Sequence, residues 1–227
     1  MLVSDPRLMA AGSRRSSFVE RLSDVLGINR YFLRRGQPPT ISVSRRVLVS
    51  PAHCKVVWIG SVRDDELVPA KPVLGQPRLW DLSQILWDEA LARCFDGGLV
   101  FNLYLAPTDL HYLISPATAK VESVRRCPGR CWPIVVWKLG EIENERVVTL
   151  LHLDDGRKMA MVLVGSFLVS GVLFLPRPGD VVRRGELIGG FKIGSTVFMV
   201  LEPNQAIPLV EAGDRLLPGE PLARFSN

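Results

Sequence analysis

Cysteine is scarce in this chain of 227 residues, and long apolar runs are missing. The four cysteines, Cys54, Cys94, Cys127 and Cys131, are too few for the disulfide framework of a small secreted protein. Because no run approaches roughly 18 apolar residues, the sequence predicts neither a membrane-spanning helix nor a signal peptide. Together these absences predict a protein of a reducing, cytoplasmic compartment.

Signals for metal or nucleic-acid binding are equally sparse. Cys127 and Cys131 could form half of a metal site, but no second pair follows at a suitable distance and His152 is remote. We therefore interpret the two thiols as flanking a turn and predict no metal. Aromatic and basic residues do not alternate as single-stranded nucleic acid requires, so no nucleic acid is expected as a partner.

The rest of the composition is that of a globular protein with a mild basic bias. Hydrophobic residues make up 47% and charged residues 22% of the chain, and its length allows one sizeable core. The net charge of +5 suits an anionic surface without requiring one.

Residues 1–40 are predicted to form a basic helical segment ahead of the main domain, residues 41–227. Apolar residues recur at helical spacing over residues 18–33. The arginines around that face are Arg14, Arg15, Arg21, Arg30, Arg34 and Arg35. Such a helix packs on its own domain or lies on an anionic membrane, and the sequence leaves both open.

The main domain is predicted to be mainly β with one internal helix. That helix covers residues 80–95, with Asp81 or Ser83 as its N-cap. Residues 61–77 are predicted to be a polar loop, and residues 154–156 a hairpin turn. The strands are predicted at residues 42–50, 56–59, 99–105, 120–126, 147–153, 159–164 and 168–175.

A repeat occupies the last third of the chain. Gly179-Asp180, Gly185-Glu186 and Phe191 recur at Gly213-Asp214, Gly219-Glu220 and Phe225, an offset of 34 residues each time. Paired turns of this kind are typical of a flattened β-sandwich. Lipoyl and biotin carrier modules use similar turns but need a lysine at an exposed hairpin tip. Lys192 lies on the approach to a strand instead, so a carrier is the weaker interpretation.

The step Gly194-Ser195 precedes an apolar, β-branched run, which predicts a strand beginning at or just after it. Glycine leaves its carbonyl unshielded and its backbone free to adopt strained dihedral angles. A serine hydroxyl held against that carbonyl can attack it and turn the amide into an ester. Taken alone, the step is better explained by a turn into a core strand.

Four segments, in order, resemble the phosphatidylserine decarboxylase family. Residues 191–197, FKIGSTV, resemble its self-cleavage motif, and residues 104–111, YLAPTDLH, resemble its histidine motif. Residues 49–52, VSPA, resemble the start of its aspartate motif. Residues 144–148, NERVV, with the following strand, fit its middle β segment.

The resemblance implies a β-sandwich or barrel-sandwich fold and an enzyme that makes its own pyruvoyl cofactor. Ser195 would attack the Gly194 carbonyl, and β-elimination would split the chain into a β chain ending at Gly194 and an α chain beginning at residue 195. The pyruvoyl group left at residue 195 would form a Schiff base with the substrate amine and take up the electrons released with CO2.

Two of the three processing residues of the family are replaced here. In the family an aspartate orients a histidine base that activates the serine. The aspartate position holds His53, followed by Cys54 in place of glycine, and the base position holds Ile114. We predict that His53 acts as the base, because a neutral imidazole is competent near pH 7. Two alternatives stay open: an unprocessed chain that binds a ligand or partner in the old pocket, and a metal or unrelated chemistry at His53, Cys54, Asp109 and His111.

The second catalytic residue that the resemblance implies is His111, placed beside the substrate carboxylate, where it assists decarboxylation or the later protonation. Leu110 and Tyr112 replace the usual Tyr-Arg pair around it. The implied substrate is phosphatidylserine or a small amino acid. The sequence leaves three further points open: binding to an anionic membrane surface, a peripheral location at the inner membrane face, and assembly into a homodimer. The implied pocket residues are Asp109, Cys54, Tyr112 and Ile114.

Overall fold

The computed structural model describes residues 8, 25–27, 31, 33–34, 41, 44–63, 68–73, 76–130, 132, 140–166, 172–191 and 195–226. These residues are mainly β, which confirms the predicted fold class. Most of the predicted helix over residues 18–33 lies outside the described residues, and so do Gly194 and Lys192.

Short helices and many strands follow one another along the chain. The helices are α1 (Leu82–Leu86), α2 (Glu89–Cys94) and α3 (Gly140–Glu143). The strands are β1 (Val47–Val49), β2 (Cys54–Val62), β3 (Val68–Val73), β4 (Gln76–Trp80), β5 (Gly98–Leu105), β6 (Tyr112–Ile114), β7 (Ala119–Cys127), β8 (Arg146–Leu153), β9 (Lys158–Gly165), β10 (Val172–Phe174), β11 (Val181–Val182), β12 (Leu187–Phe191), β13 (Ser195–Leu201), β14 (Ala206–Pro208), β15 (Arg215–Leu216) and β16 (Pro221–Phe225).

One eight-stranded antiparallel sheet organises the fold, in the order β11-β7-β8-β9-β13-β5-β2-β15. Two three-stranded sheets, β1-β16-β14 and β10-β12-β6, pack with one of its faces and enclose the larger hydrophobic core. Helices α1 and α2 close a second core on the other face. Strand β13 is buried along its whole length and pairs with β5 on one side and β9 on the other.

The large sheet has an approximate twofold axis between β9 and β13. About this axis, β9 corresponds to β13, β8 to β5, β7 to β2 and β11 to β15. Residues 50–56, SPAHCKV, and residues 115–121, SPATAKV, occupy matching places 65 positions apart. Both segments carry a β-bulge at the same point, after Val56 and after Val121. The chain is therefore built from two similar halves, of which the repeat with offset 34 is one part.

The hydrogen bonds of the two halves match in detail. Ser50 Oγ donates to the Ala52 carbonyl at 2.8 Å, and Ser115 Oγ donates to the Ala117 carbonyl at 2.7 Å. Each serine also binds one Gly-Glu turn of the repeat: the Ser50 N–H donates to the carbonyl of Glu220, and the Ser115 N–H to that of Glu186. The repeated turns are thus hydrogen-bonded to the repeated SPA segments in the same way.

Three details of the predicted secondary structure are wrong. Residues 61–77 contain the end of β2 and the β3-β4 hairpin, where prolines are tolerated because a two-stranded ribbon has only edge strands. The predicted helix over 80–95 is two helices, because Trp87 adopts a left-handed conformation with φ of 51° and Asp88 begins α2 as its N-cap. The first strand covers only Val47–Val49, since residues 45 and 46 form a turn.

Asp81 is the N-cap of α1, where its side chain accepts from the Gln84 N–H in a capping box. The hairpin turn at residues 154–156 is confirmed, with Gly156 at φ of 87°. The repeated Gly-Asp and Gly-Glu turns are confirmed as well, and each of their four glycines has a positive φ.

We predict that Ser50→Ala and Ser115→Ala each lower the free energy of unfolding by about 1–2 kcal/mol, because each leaves a buried carbonyl without its donor. Ser61→Ala, at an exposed position of β2, should change it by less than about 0.5 kcal/mol. Urea unfolding of the three variants measures these values. A loss confined to one of the two buried serines would show that the halves are not energetically equivalent.

Candidate active site

The turn after β5 places a carboxylate at the end of the eight-stranded sheet. Asp109 is buried, with 1% of its surface exposed. Its N–H donates to the Ala106 carbonyl at 2.9 Å, and its Oδ2 accepts from the Ala106 N–H at 2.8 Å. This reciprocal pair fixes the turn and holds the carboxylate beneath it.

Two side chains, an arginine and a histidine, approach Oδ1, the other carboxylate oxygen of Asp109. Arg215, on β15, donates from Nη2 to Oδ1 at 2.5 Å, and His53 Nε2 lies 3.5 Å from the same oxygen. A buried carboxylate needs such partners, because an uncompensated charge is strongly disfavoured away from water. The predicted site residues His53 and Asp109 are therefore in contact.

The hydrogen bonds assign the tautomer of His53. The Leu110 N–H donates to Nδ1 at 3.3 Å, so a neutral His53 carries its proton on Nε2, towards Asp109. Both distances exceed those of ordinary strong hydrogen bonds, and 23% of the His53 side chain is exposed. The imidazole is therefore loosely held and has access to solvent.

His111 follows the same turn and is completely buried. Its Nδ1 lies 2.9 Å from the Asp109 carbonyl, which can only accept, so Nδ1 is the protonated nitrogen. Burial lowers the pKa of His111 to about 4, although the hydrogen bond to Asp109 opposes that shift. His111 is consequently a neutral imidazole near pH 7, with Nε2 unprotonated.

Ser195 is the first residue of β13, opposite Leu105 at the end of β5 and Gly165 at the end of β9. Side chains alternate along a strand, so Ser195 faces the same core as Val197. The hydroxyl is buried and has no hydrogen-bond partner among the described residues. Within the described part of the chain, the Ser195 hydroxyl is therefore left without the hydrogen bond that a buried hydroxyl usually makes.

The two replaced positions lie next to each other in the fold. The Ile114 N–H donates to the carbonyl of Pro51, two residues before His53. The Ile114 side chain packs in an apolar cluster with Tyr112, Leu173 and the N-terminal residues Leu8 and Leu33. Tyr112 and Ile114 thus line a covered apolar surface, where an ionisable side chain would be desolvated.

Cys54 is held as a protonated thiol. It is buried, and burial raises its pKa to about 12, despite a contact of its sulfur with Ser50 Oγ at 3.6 Å. A thiolate is the reactive form of cysteine, so this residue is unreactive in the folded chain.

His152 lies far from this turn, at the end of β8, and forms an ion pair with Glu122. Within the described ranges, no group of three or more His, Cys, Asp or Glu residues is arranged to hold a metal ion. No helix within those ranges is long and apolar enough to cross a bilayer.

Fold and site together define a duplicated β protein with a buried serine at the start of its central strand and an Asp-His cluster at the same end of the sheet. Residues 28–224 match the sequence model of the family described as phosphatidylserine decarboxylase. A phosphatidylserine decarboxylase proenzyme of Anaeromyxobacter sp. (strain K) is 35% identical, over 84% of this chain and 74% of the relative. One of Brevibacillus brevis is 28% identical, over 92% and 82%. The chain belongs to the phosphatidylserine decarboxylase family.

Arg215 is the site residue that sequence reasoning missed. It follows the Gly213-Asp214 turn, at the place where the first copy of the repeat has Val181. A charged side chain at an apolar position of a repeat was a readable signal, but its partner, Asp109, lies 106 residues earlier in the chain. Only the pairing of β15 with β2 brings the two together.

We predict that acidification from pH 7 to pH 4 destabilises the protein partly through His111. The unfolded chain binds a proton at this residue below its ordinary pKa of about 6.5, whereas the folded chain binds one only near 4, so unfolding is favoured between these values. The stability lost is at most about 3 kcal/mol.

His111→Asn keeps a donor for the Asp109 carbonyl but does not titrate. Urea unfolding of both proteins from pH 7 to pH 4 measures the difference. The variant should lose less stability than the parent over this range. Equal losses would show that His111 is protonated in the folded state.

Proposed function

We propose that this chain is a proenzyme that cleaves itself between Gly194 and Ser195 and then acts as a pyruvoyl-dependent decarboxylase. The observation that carries the proposal is the place of Ser195: a buried hydroxyl without a described acceptor, at the head of the central strand. The hydroxyl follows directly on a glycine carbonyl in the sequence, and pairing on both sides of β13 fixes its backbone.

The proposed cleavage and the formation of the keto group require no co-reactant other than water. Ser195 Oγ attacks the Gly194 carbonyl carbon, the peptide C–N bond breaks, and an ester forms with a free amine at residue 195. Loss of the Cα proton then breaks the Cβ–O bond, so Gly194 leaves as a carboxylate and residue 195 becomes dehydroalanine. Hydrolysis of the dehydroalanine releases ammonia and leaves the keto group. The buried hydroxyl of Ser195 is thereby removed.

The residues around position 195 fit this group. Gly165 lies directly opposite residue 195 on β9. A side chain at position 165 would contact Val172 and the Glu145 carbonyl, so glycine is the residue that fits this closely packed place. A ketone has no donor that requires an acceptor, which suits an apolar core face better than a hydroxyl does. When formed, the pyruvoyl group supplies an electron sink for decarboxylation of an amine substrate.

His53 is the base that we propose for the cleavage. Its long contacts to Leu110 and Asp109 allow the ring to turn away from them at little cost. The Asp109 carboxylate beside it would stabilise the imidazolium once the proton is taken, as the carboxylate of a catalytic triad does. Ile114 cannot accept a proton, so the usual base of the family has no counterpart at that position.

His111 has a different role in the proposal. It is neutral at physiological pH, with its unprotonated Nε2 as an acceptor, and the Phe191 N–H donates to its carbonyl at 2.8 Å. That bond ties His111 to the segment that leads to residue 195. We assign His111 to the step after CO2 loss, where a proton must be delivered to the substrate carbon.

The substrate that we propose is phosphatidylserine or a related amino acid with a free amine next to a carboxylate. The relatives named phosphatidylserine decarboxylase proenzyme support a serine head group. An anionic membrane surface and a homodimer are the further partners we propose, and the basic residues of segment 1–40 favour the first.

The test is the covalent state of residue 195, read by a denaturing gel and intact-mass measurement of the purified protein. We expect two fragments, residues 1–194 and 195–227, the second beginning with a pyruvoyl group. Ser195→Ala should not cleave at all. His53→Ala should cleave about a hundredfold more slowly, because it lacks the base. The matched control, Ile114→Val, should cleave at the parental rate.

A single chain of 25.2 kDa after long incubation would overturn the proposal and favour an unprocessed member of the family that binds a ligand in the same pocket. Cleavage of His53→Ala at the parental rate would remove His53 from the mechanism. Release of CO2 from phosphatidylserine vesicles, compared with free serine, then identifies the substrate of the cleaved protein.

A further inference from the structure

An open cleft of about 710 Å³ lies away from the candidate active site, between the turn before β1, the β8-β9 hairpin and the turn before β12. Five arginines line it, namely Arg45, Arg46, Arg157, Arg183 and Arg184. Two aspartates, Asp154 and Asp155, also line the cleft, which leaves an excess of three positive charges. We call it the arginine cleft.

The arginine cleft lies at the opposite end of the large sheet from Ser195. Ser195 pairs with Gly165, at the end of β9, whereas the cleft is at the start of that strand, beside Arg157. Seven residues of extended strand separate the two ends, which corresponds to roughly 20 Å. The cleft is therefore a separate site.

The twofold repeat relates the cleft to the active site. Strand registers place Arg157 opposite Leu153, as Ser195 is opposite Leu105 in the other half. The Phe225 N–H donates to the carbonyl of Arg46 at 2.8 Å, as the Phe191 N–H does to that of His111. Thr118 of SPATAKV matches His53 of SPAHCKV. Arginines therefore stand at the places that correspond to Ser195 and His111, and a threonine stands at the place that corresponds to His53.

Backbone carbonyls position two of the guanidinium groups. Arg184 Nη1 donates to the carbonyls of Ser44 and Val47, and the Arg184 N–H donates to Thr118 Oγ1 at 3.2 Å. Arg157 Nη2 donates to the Ser226 carbonyl at 2.6 Å, and its guanidinium lies over the Phe225 ring. These arginines are preorganised, so a ligand would not have to order them.

Two of the five cleft arginines form no ion pair with the described part of the chain. Asp155 lies 3.4 Å from Arg157, but no ion pair joins Arg45 or Arg183 to any residue that the structure describes. Burial, together with the neighbouring charge of Arg45, lowers the pKa of Arg184. Cations such as Arg45 and Arg183, gathered in a concave site, create a field that attracts an anion.

We propose that the arginine cleft binds a phosphate group. Guanidinium groups bind phosphate through paired, charge-assisted hydrogen bonds, and converging arginines are typical of phosphate recognition. The phosphate belongs either to a soluble phosphorylated molecule or to a lipid head group, since both present the same oxygens. The inference does not depend on cleavage at Ser195.

The test compares binding to the parent protein, to Arg45→Gln/Arg183→Gln and to a charge-matched control, Arg93→Gln/Arg177→Gln. The first variant removes two cleft arginines that make no ion pair with the described part of the chain, so the fold should be kept. Arg93 and Arg177 do not line the cleft. Equal thermal unfolding midpoints without ligand verify that all three proteins fold alike.

Calorimetric titration with inorganic phosphate and with glycerol 3-phosphate forms the soluble arm, at an ionic strength of about 0.15 M to suppress long-range attraction. Sedimentation with phosphatidylcholine vesicles that contain phosphatidic acid forms the lipid arm. We expect the cleft variant to bind at least about tenfold more weakly than the parent, and the control variant to bind as the parent does.

Binding in the soluble arm that is lost in the cleft variant supports a soluble ligand. Binding to vesicles alone, lost in the same variant, supports a lipid head group. The proposal is overturned if neither probe binds, if the cleft variant binds as the parent does, or if the control variant loses as much affinity as the cleft variant.

Discussion

The pairing of β13 on both of its edges is the constraint on which the rest of the structure depends. Its hydrogen bonds to β5 and β9 run from Ser195 to Leu201 without a register shift, and every side chain of the strand is buried. A slip by one residue would exchange the two faces and put Ser195 into the opposite core. The same register brings the end of β5, and therefore the Asp109 turn, to the end of the sheet where the chain reaches Ser195.

Duplication explains why the two ends of the large sheet share one backbone framework although their side chains differ. In each half a Gly-Glu turn is hydrogen-bonded to the SPA segment, so equivalent hydrogen bonds fix the backbone at both ends. The side chains at the two ends differ, although this framework is shared. One end holds Ser195, His111 and His53, and the other holds Arg157, Arg46 and Thr118 at the corresponding places.

The sequence predicted the strands best where the hydrophobic pattern is continuous, as in β5, β8 and β9, because burial on both faces leaves few alternatives. The prediction was wrong at residues 61–77. Three prolines there favoured a loop, although a two-stranded ribbon tolerates proline. Motif order located Asp109, His111 and Ser195, but contacts between distant segments could not be read from it. Arg215 and the cover of Leu8 and Leu33 over Ile114 depend on strand pairing and packing, which no local pattern expresses.

The Asp109 carboxylate suits a histidine at position 53. Asp109 is buried and its Oδ1 is already the acceptor of Arg215. An aspartate at position 53 would bring a second carboxylate to the same place, whereas an imidazole adds a donor for Oδ1. Ile114, in turn, suits an apolar cluster in which a histidine would be desolvated and would bind a proton poorly, as the low pKa of buried His111 illustrates. The two replacements are thus physically linked: the apolar cover over position 114 disfavours an imidazolium there, and the carboxylate of Asp109 favours an imidazole at position 53.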